Sequence, residues 1–484
     1  MRINILLVHL LAIGLAVLPG PAAPPASAQG LPDLGDAAQN SLSPQMERRV
    51  GESIMRDIRF RDPTFYDDAE AGEYLNTLGY RLVASSADVR QDFEFFLIKD
   101  GTLNAFALPG GFIGVHTGLI ATAQSESELA SVLSHEIAHV TQRHIARMVS
   151  KEGQFSAVMM AAMALAILSR NSQAGSAAAL IGQASVVTAQ IGFTRDFERE
   201  ADRIGFQTLE KSGLDVRAMP AFFERLQKAG RLYENNAPAY LRTHPVTTER
   251  IADTQNRAQA VAYKQLPDSL DFQLVRAKLR ADQDTPREAL AQFESQLRDK
   301  KYSNETAARY GLAAALLRAK EPVRAEGALA PLMKAGSHPM FDMLSARIRQ
   351  ARGDNNGAAE LLKGALARHP NNRAINHAYV EALQQQGQNQ QAVSLLTEQL
   401  KTYPRDAKLH SLLAKAYASL GKRLLQHQAL AEVYALQGSL PAAVEQLQLA
   451  QKSGDGDFFQ QSSVDARLRE LRAQIVEEMK QSKK

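Results

Sequence analysis

The 484-residue chain has no cysteine and no tryptophan, and aromatic residues make up only 6% of it. The missing thiols exclude disulfides, cysteine-ligated zinc, iron–sulfur clusters and thiol nucleophiles together. Any chemistry here uses oxygen and imidazole nitrogen. An excess of one charge is missing too, because 56 basic residues face 52 acidic ones for a net charge of +4. With no basic run interleaved with stacking rings, no nucleic-acid partner is expected. What remains is an ordinary globular composition, 45% hydrophobic and 22% charged, in a chain long enough for roughly two to four domains.

Uncharged runs are short. Arg2 precedes the apolar stretch from Ile3 to Val17, Pro and Gly follow, and Ala26-Ser27-Ala28 is a small-x-small cleavage signature. The stretch falls short of the roughly 20 residues that a span requires. Residues 1–28 are therefore expected to be a cleaved signal peptide, with a transmembrane anchor as the alternative. Phe155 to Leu168 and Ala174 to Gly192 also lack charge. They are expected to be buried or groove-covering helices, the alternative being peripheral membrane contact, or contact with an apolar client, through 155–192.

Gln45 to Val83 reads as helix split near Pro63. Three short runs, 93–98, 104–108 and 112–116, have the aromatic and β-branched content of strands and are expected to form a small antiparallel sheet of hairpins. Ser125-x-x-Glu128 is a capping box opening a helix from about Glu126 to Met148.

That helix carries His135-Glu136-Ile137-Ala138-His139. Residues four apart lie one above the other on a helix face, so both imidazoles can reach one cation. Glu136, about 100° round, can reach a metal-bound water without ligating. Catalytic zinc takes three protein ligands and leaves a position for water. The third is sought in Glu198-Arg199-Glu200-Ala201-Asp202, where Glu198 and Asp202 share a helix face. One of them can ligate while the other orients a ligand ring from outside. Glu200 points elsewhere and is expected to stay solvated. His144, about 180° from His135 on an ideal helix, is expected to face away from the metal, in packing or at the surface.

Past an expected linker at 264–271 the chain becomes periodic. Gly353, Gly387 and Gly421 recur every 34 residues, as do Pro370 and Pro404, and Leu344, Ala378 and Leu412. Gly closing one helix and Pro closing the next resembles the tetratricopeptide repeat, clearest over 340–421 and looser at 272–339 and 422–453. Such units stack into a superhelix with a concave groove, here over 272–480.

HEIAH, EREAD and the upstream run Asn104-Ala105-Phe106-Ala107-Leu108-Pro109-Gly110-Gly111 together resemble the M48 zinc metalloproteases. The resemblance implies an α+β, zincin-like metalloprotease domain over 29–263, followed by an all-α tetratricopeptide-repeat superhelix. It implies one Zn2+ per chain on His135, His139 and Glu198, with Glu136 as general base and Asp202 supporting a ligand from outside. It also points to His244 and Arg250. Either the pair donates to the oxyanion of the scissile carbonyl, or His244 occupies the open coordination position until a client displaces it; a surface-turn His is the plain alternative. An exposed edge strand would hold an extended substrate by main-chain hydrogen bonds, and Asn104, Ala105 and Phe106 are the candidates.

With its signal peptide and repeats, the chain resembles the periplasmic branch of that family. This implies a periplasmic zinc metalloendopeptidase degrading misfolded or stalled outer-membrane proteins, its repeats recruiting unfolded clients or the outer-membrane β-barrel assembly machinery. The alternative is a chaperone or scaffold for outer-membrane protein assembly with latent or minor peptidase activity.

Overall fold

Pro63, which has no N–H to donate and a fixed φ, lies in the turn between helices α1 (Pro44–Arg61) and α2 (Ala69–Ser85). Ser43 and Asp68 cap the two helices, accepting from the backbone N–H of Met46 and Ala71. The computed structural model describes residues 42–87, 89–152, 194–232, 238–263 and 266–481. The expected signal peptide and the uncharged 155–192 stretch lie outside the described residues.

Three strands follow: β1 (Glu94–Ile98), β2 (Ala105–Leu108) and β3 (Phe112–His116). Their positions match the expected runs within a residue or two, but the sheet is mixed rather than antiparallel. Its order is β1-β3-β2, with β1 parallel to β3 and β2 antiparallel to it. The tight turn at 109–111 ties β2 to one edge of β3, so β1 takes the other edge and runs in the same direction. β2 thus ends the sheet on the side of the next long helix.

A short helix α3 (Thr117–Thr122) leads into α4 (Glu126–Thr141). Ser125 Oγ accepts from the Glu128 N–H at 3.1 Å, and Glu128 Oε2 takes the Gln124 N–H at 3.2 Å, one residue further back than a capping box places it. From Glu126 to Val140 every residue of α4 is buried. The helix does not run to Met148. Arg143 turns left-handed at φ 52°, and α5 (His144–Glu152) starts afresh. Tertiary contacts hold that turn: the Arg143 guanidinium donates to Glu47 Oε2 on α1 at 3.0 Å and to the Leu42 carbonyl. Such contacts offset a non-Gly residue's cost at positive φ.

Then come α6 (Arg195–Lys211), α7 (Ala218–Leu232), α8 (Ala239–Thr243) and α9 (Thr248–Ala260). α6 lies against α4, and Gly205 permits the closeness, since a Cβ there would meet His135 N and the Ser134 carbonyl at 3.0 Å.

The second half is a run of antiparallel helix pairs. Their first helices begin at Leu270, Glu305, Pro339, Arg373, Ala407 and Leu440, so the segments flanking 340–421 form pairs as well. Gly353, Gly387 and Gly421 sit at φ 82°, 73° and 69°, just past the first helix of their pair. That left-handed residue lets the helix end and the chain reverse, which explains the period.

The two halves share one core. Leu129 and Leu133 of α4 belong to the same buried cluster as Phe272 and Leu279 of α10 (Leu270–Gln283), Tyr310 and Phe341. The chain entering α10 is pinned, with the Ser269 N–H donating to Glu126 Oε2 at 2.9 Å and the Glu126 N–H to Asp268 Oδ1 at 2.7 Å. Farther along, buried Lys278 reaches Asp68 and Glu70 at 2.6 Å each, and Arg347 reaches Glu70 at 2.8 Å. Among the described residues, no helix is long and apolar enough to cross a membrane.

Candidate metal centre and active site

His135 and His139 of α4, Glu198 of α6 and His244, just after α8, each bring a ligand-type atom within 4.8 Å of the others, and all four are buried. This is the one such group among the described residues. The helical spacing brings the Nε2 atoms of His135 and His139 to 3.0 Å. Thr194 caps α6 and sets its first turn, carrying Glu198, against them. Glu198 Oε1 lies 3.3 Å from His139 Nε2 and Oε2 lies 3.5 Å from His135 Nε2. His244 Nδ1 is 3.0 Å from Glu198 Oε1.

Imidazole nitrogens with one carboxylate are a donor set that suits zinc, and the electrostatics fit a cation. Burial raises the Glu198 pKa, but His244, Arg250 and His135 more than offset this and keep it ionised. Burial alone makes His135 harder to protonate, yet Asp202 and Glu198 outweigh it and hold its pKa at about 10. A cation between the same groups would take that proton's place. Burial keeps His139 neutral, as a ligand requires.

Glu136 is fully buried, and neither carboxylate oxygen has a hydrogen-bond partner of normal geometry. Burial pushes its pKa up, with His244 and His135 opposing. Buried carboxylates are ordinarily satisfied by donors, so this one is fitted to meet a water or a cation. His244 Nε2 stands 3.6 Å from its Oε1.

Asp202 Oδ1 lies 3.0 Å from His135 Nδ1, on the side of the ring away from Glu198. Arg250 is not poised above the site as an oxyanion donor. Its Nε and Nη2 grip Asp202, while Nη1 donates to the Pro245 carbonyl at 2.8 Å and lies 2.7 Å from Glu198 Oε2. The guanidinium holds the two carboxylates from behind.

The candidate substrate strand is an edge but not an exposed one. Ala105 and Phe106 of β2 are buried, as is Asn104, whose carbonyl accepts from the His116 N–H at 3.0 Å. The Ala107 N–H on the same strand acts on the Glu136 carboxylate, so the free side of β2 faces α4.

Sequence reasoning misplaced two residues and missed a third. His144 is fully buried, with its Nδ1 2.9 Å from His139 Nδ1. The left-handed Arg143 breaks the helix on which the 180° estimate relied. Glu200 is not freely solvated, because its Oε2 meets His144 Nε2 at 3.2 Å and Arg147 Nη1 at 2.8 Å. The missed residue is Tyr240, whose ring stacks on His244 at 4.5 Å and whose hydroxyl is buried without a partner. Its only signal was the four-residue spacing from His244 on a short helix.

Two histidines and a glutamate on one buried helix, with an acidic helix crossing it beside a small mixed sheet, define a metallopeptidase of the HExxH class. Residues 70–258 match the family model Peptidase family M48, and residues 350–416 match the Tetratricopeptide repeat. The chain is 36% identical over 453 residues to the putative beta-barrel assembly-enhancing protease of Vibrio cholerae, covering 92% of each. It is 35% identical over 462 residues to the beta-barrel assembly-enhancing protease of Escherichia coli K12, covering 94% of this chain and 93% of that one. A mitochondrial metalloendopeptidase OMA1 of Schizosaccharomyces pombe is 30% identical over 223 residues, 44% of this chain and 61% of its own. The chain belongs to peptidase family M48 and is a metalloprotease with a C-terminal repeat region.

Proposed function

We propose that this metalloprotease is a zinc-dependent endopeptidase of the periplasm that removes misfolded or stalled outer-membrane β-barrel proteins. The catalytic part rests on one observation: the fully buried Glu136 carboxylate, neither oxygen of which has a hydrogen-bond partner of normal geometry, beside three converging ligand side chains. In this reading His135, His139 and Glu198 would hold one Zn2+, which when bound would supply Lewis-acid chemistry to the peptide carbonyl and to a water near neutral pH. Glu136 receives the proton of the attacking water and returns it to the departing amine. Asp202 fixes the His135 ring, and Arg250 keeps Asp202 and Glu198 in place. The substrate lies extended along β2, held by main-chain hydrogen bonds that tolerate many sequences.

His244 acts as a resting block. Support comes from its place among the ligand atoms, 3.0 Å from Glu198, and from the buried state of β2, which leaves a substrate no open edge. A client that displaces His244 and uncovers β2 opens the site. The client class and compartment draw on the relatives named for β-barrel assembly and on the N-terminal signal pattern. The repeats recruit those clients or the machinery that assembles them.

A scaffold with latent peptidase activity is the competing reading, favoured by the same covered site. Purified protein is expected to contain one zinc per chain and to lose cleavage of an unfolded β-barrel substrate on chelation. Glu136→Gln is expected to keep the zinc and lose the cleavage. Retained proteolysis in Glu136→Gln sinks the catalytic assignment, and full in vivo rescue by that variant favours the scaffold.

A further inference from the structure

His139 is held by more than its place on α4. Its Nδ1 meets His144 Nδ1 at 2.9 Å, His144 Nε2 meets Glu200 Oε2 at 3.2 Å, and Arg147 Nη1 anchors that same oxygen at 2.8 Å. The His144 ring is fully buried and stacked on Phe197, with centroids 4.6 Å apart and planes 15° apart. It therefore has little freedom to turn.

The hydrogen positions follow from the acceptors. Glu200 is a carboxylate held between His144 Nε2 and the Arg147 guanidinium, and a carboxylate so placed is ionised at neutral pH. An ionised carboxylate only accepts, so His144 carries its proton on Nε2 and offers a lone pair at Nδ1. His139 Nδ1–H donates to that lone pair, which places the lone pair of His139 on Nε2, the atom facing His135 and Glu198.

We propose that His144 and Glu200 are positioning residues that fix the tautomer and ring orientation of His139 for metal binding. The inference rests on the metal-site reading above and extends it. His135 has its own carboxylate, Asp202, in direct reach. On His139 the Nδ1 atom is met by a second imidazole, that of His144. Both supporting carboxylates come from α6, so the helix that brings Glu198 to the site also orients both histidines. The break at Arg143 makes this possible, because a continuous helix would carry His144 to the far side.

The test compares full-length wild type with His144→Leu, His144→Asn and Glu200→Gln. Zn2+ affinity is read by competition with a chelating dye, and coordination by the visible bands of the Co2+-loaded protein. Thermal melting after chelation reports on folding. Leu keeps the packing on Phe197 but offers no acceptor, and is expected to weaken Zn2+ binding about 10- to 100-fold and shift the Co2+ bands. Asn places an oxygen where Nδ1 stood and is expected to recover most of the affinity. Glu200→Gln, at a half-exposed position, is expected to weaken binding less than Leu does. Leu and Glu200→Gln both binding as tightly as wild type overturns the proposal. So does equal weakening by Leu and Asn. If wild type itself takes up no zinc, the metal-site reading falls, a result distinct from either.

Discussion

Arg250 and Asp202 face each other through two parallel hydrogen bonds, Nε to Oδ2 at 2.6 Å and Nη2 to Oδ1 at 2.7 Å. The pair joins α9 to α6, and both residues are buried, at 4% and 2% exposure. A fork-to-fork pair adds geometric specificity to its charge. Removing one partner leaves the other's charge uncompensated at about 3–5 kcal/mol. Arg250→Ala is therefore expected to lower stability by about that much, because Asp202 and Glu198 lose their cation together. Arg250→Lys should recover only part of it, since an ammonium cannot make the fork. Chemical denaturation of the three proteins, with zinc affinity alongside, checks both statements.

His244→Ala separates its two roles. A resting block predicts that hydrolysis of a short unfolded peptide rises in the variant, because the peptide no longer has to displace an imidazole. A transition-state donor predicts a fall of about 100-fold or more in kcat. Steady-state kinetics on one peptide decides between them.

The repeats carry a pH-sensitive contact at Asp406. Its Oδ1 caps the helix Ala407–Ser419 through the Lys408 and Leu409 N–H groups, and its Oδ2 lies 2.7 Å from Arg373 and 3.3 Å from His377. Burial pushes the carboxyl up, but His377 and Arg373 more than offset that and hold it well below the usual carboxylate range. A depressed folded-state pKa means stability that is present above the unfolded value of about 3.9 and lost as pH falls through the folded one. Asp406→Ala is expected to cost at least about 1 kcal/mol at neutral pH from the cap alone. Its melting deficit against wild type should shrink as pH drops below about 4. Melts across that range, followed by circular dichroism, test the sign.

Lys278 compensates Asp68 and Glu70 where the repeats meet α2. Lys278→Ala leaves both acids with less cation beside them, and a loss of about 3 kcal/mol or more is expected. Lys278→Met with Glu70→Leu should be milder than the single change, because well-filled apolar replacements avoid the unpaired charge. Limited proteolysis between the halves and the melting midpoint are the readouts.

The i, i+4 imidazoles, the capped start of α4 and the 34-residue glycine period were legible because each is a local rule. Helix pitch fixes the first, an N-cap the second and a left-handed residue the third. Strand partners were not legible. Nothing in 94–98 says which edge of β3 is left after the 109–111 turn claims the other. His144 was misread because the helix break depends on Glu47, 96 residues before Arg143. Arg250 was given a role above the metal because the sequence names a cation without naming the carboxylates that claim it.

Phe272, Tyr310 and Phe341 lie in one cluster with Leu129 and Leu133, so the hydrolytic portion never closes its own apolar interior. An engineer wishing to transplant it onto a foreign solenoid would have to carry the native chain to about Ala351, the end of the helix bearing Phe341. A cut at the sequence-inferred linker would strip away one wall and leave an insoluble remnant. The distal repeats escape that constraint, since residues from Met343 to Ala429 bury a separate cluster of their own.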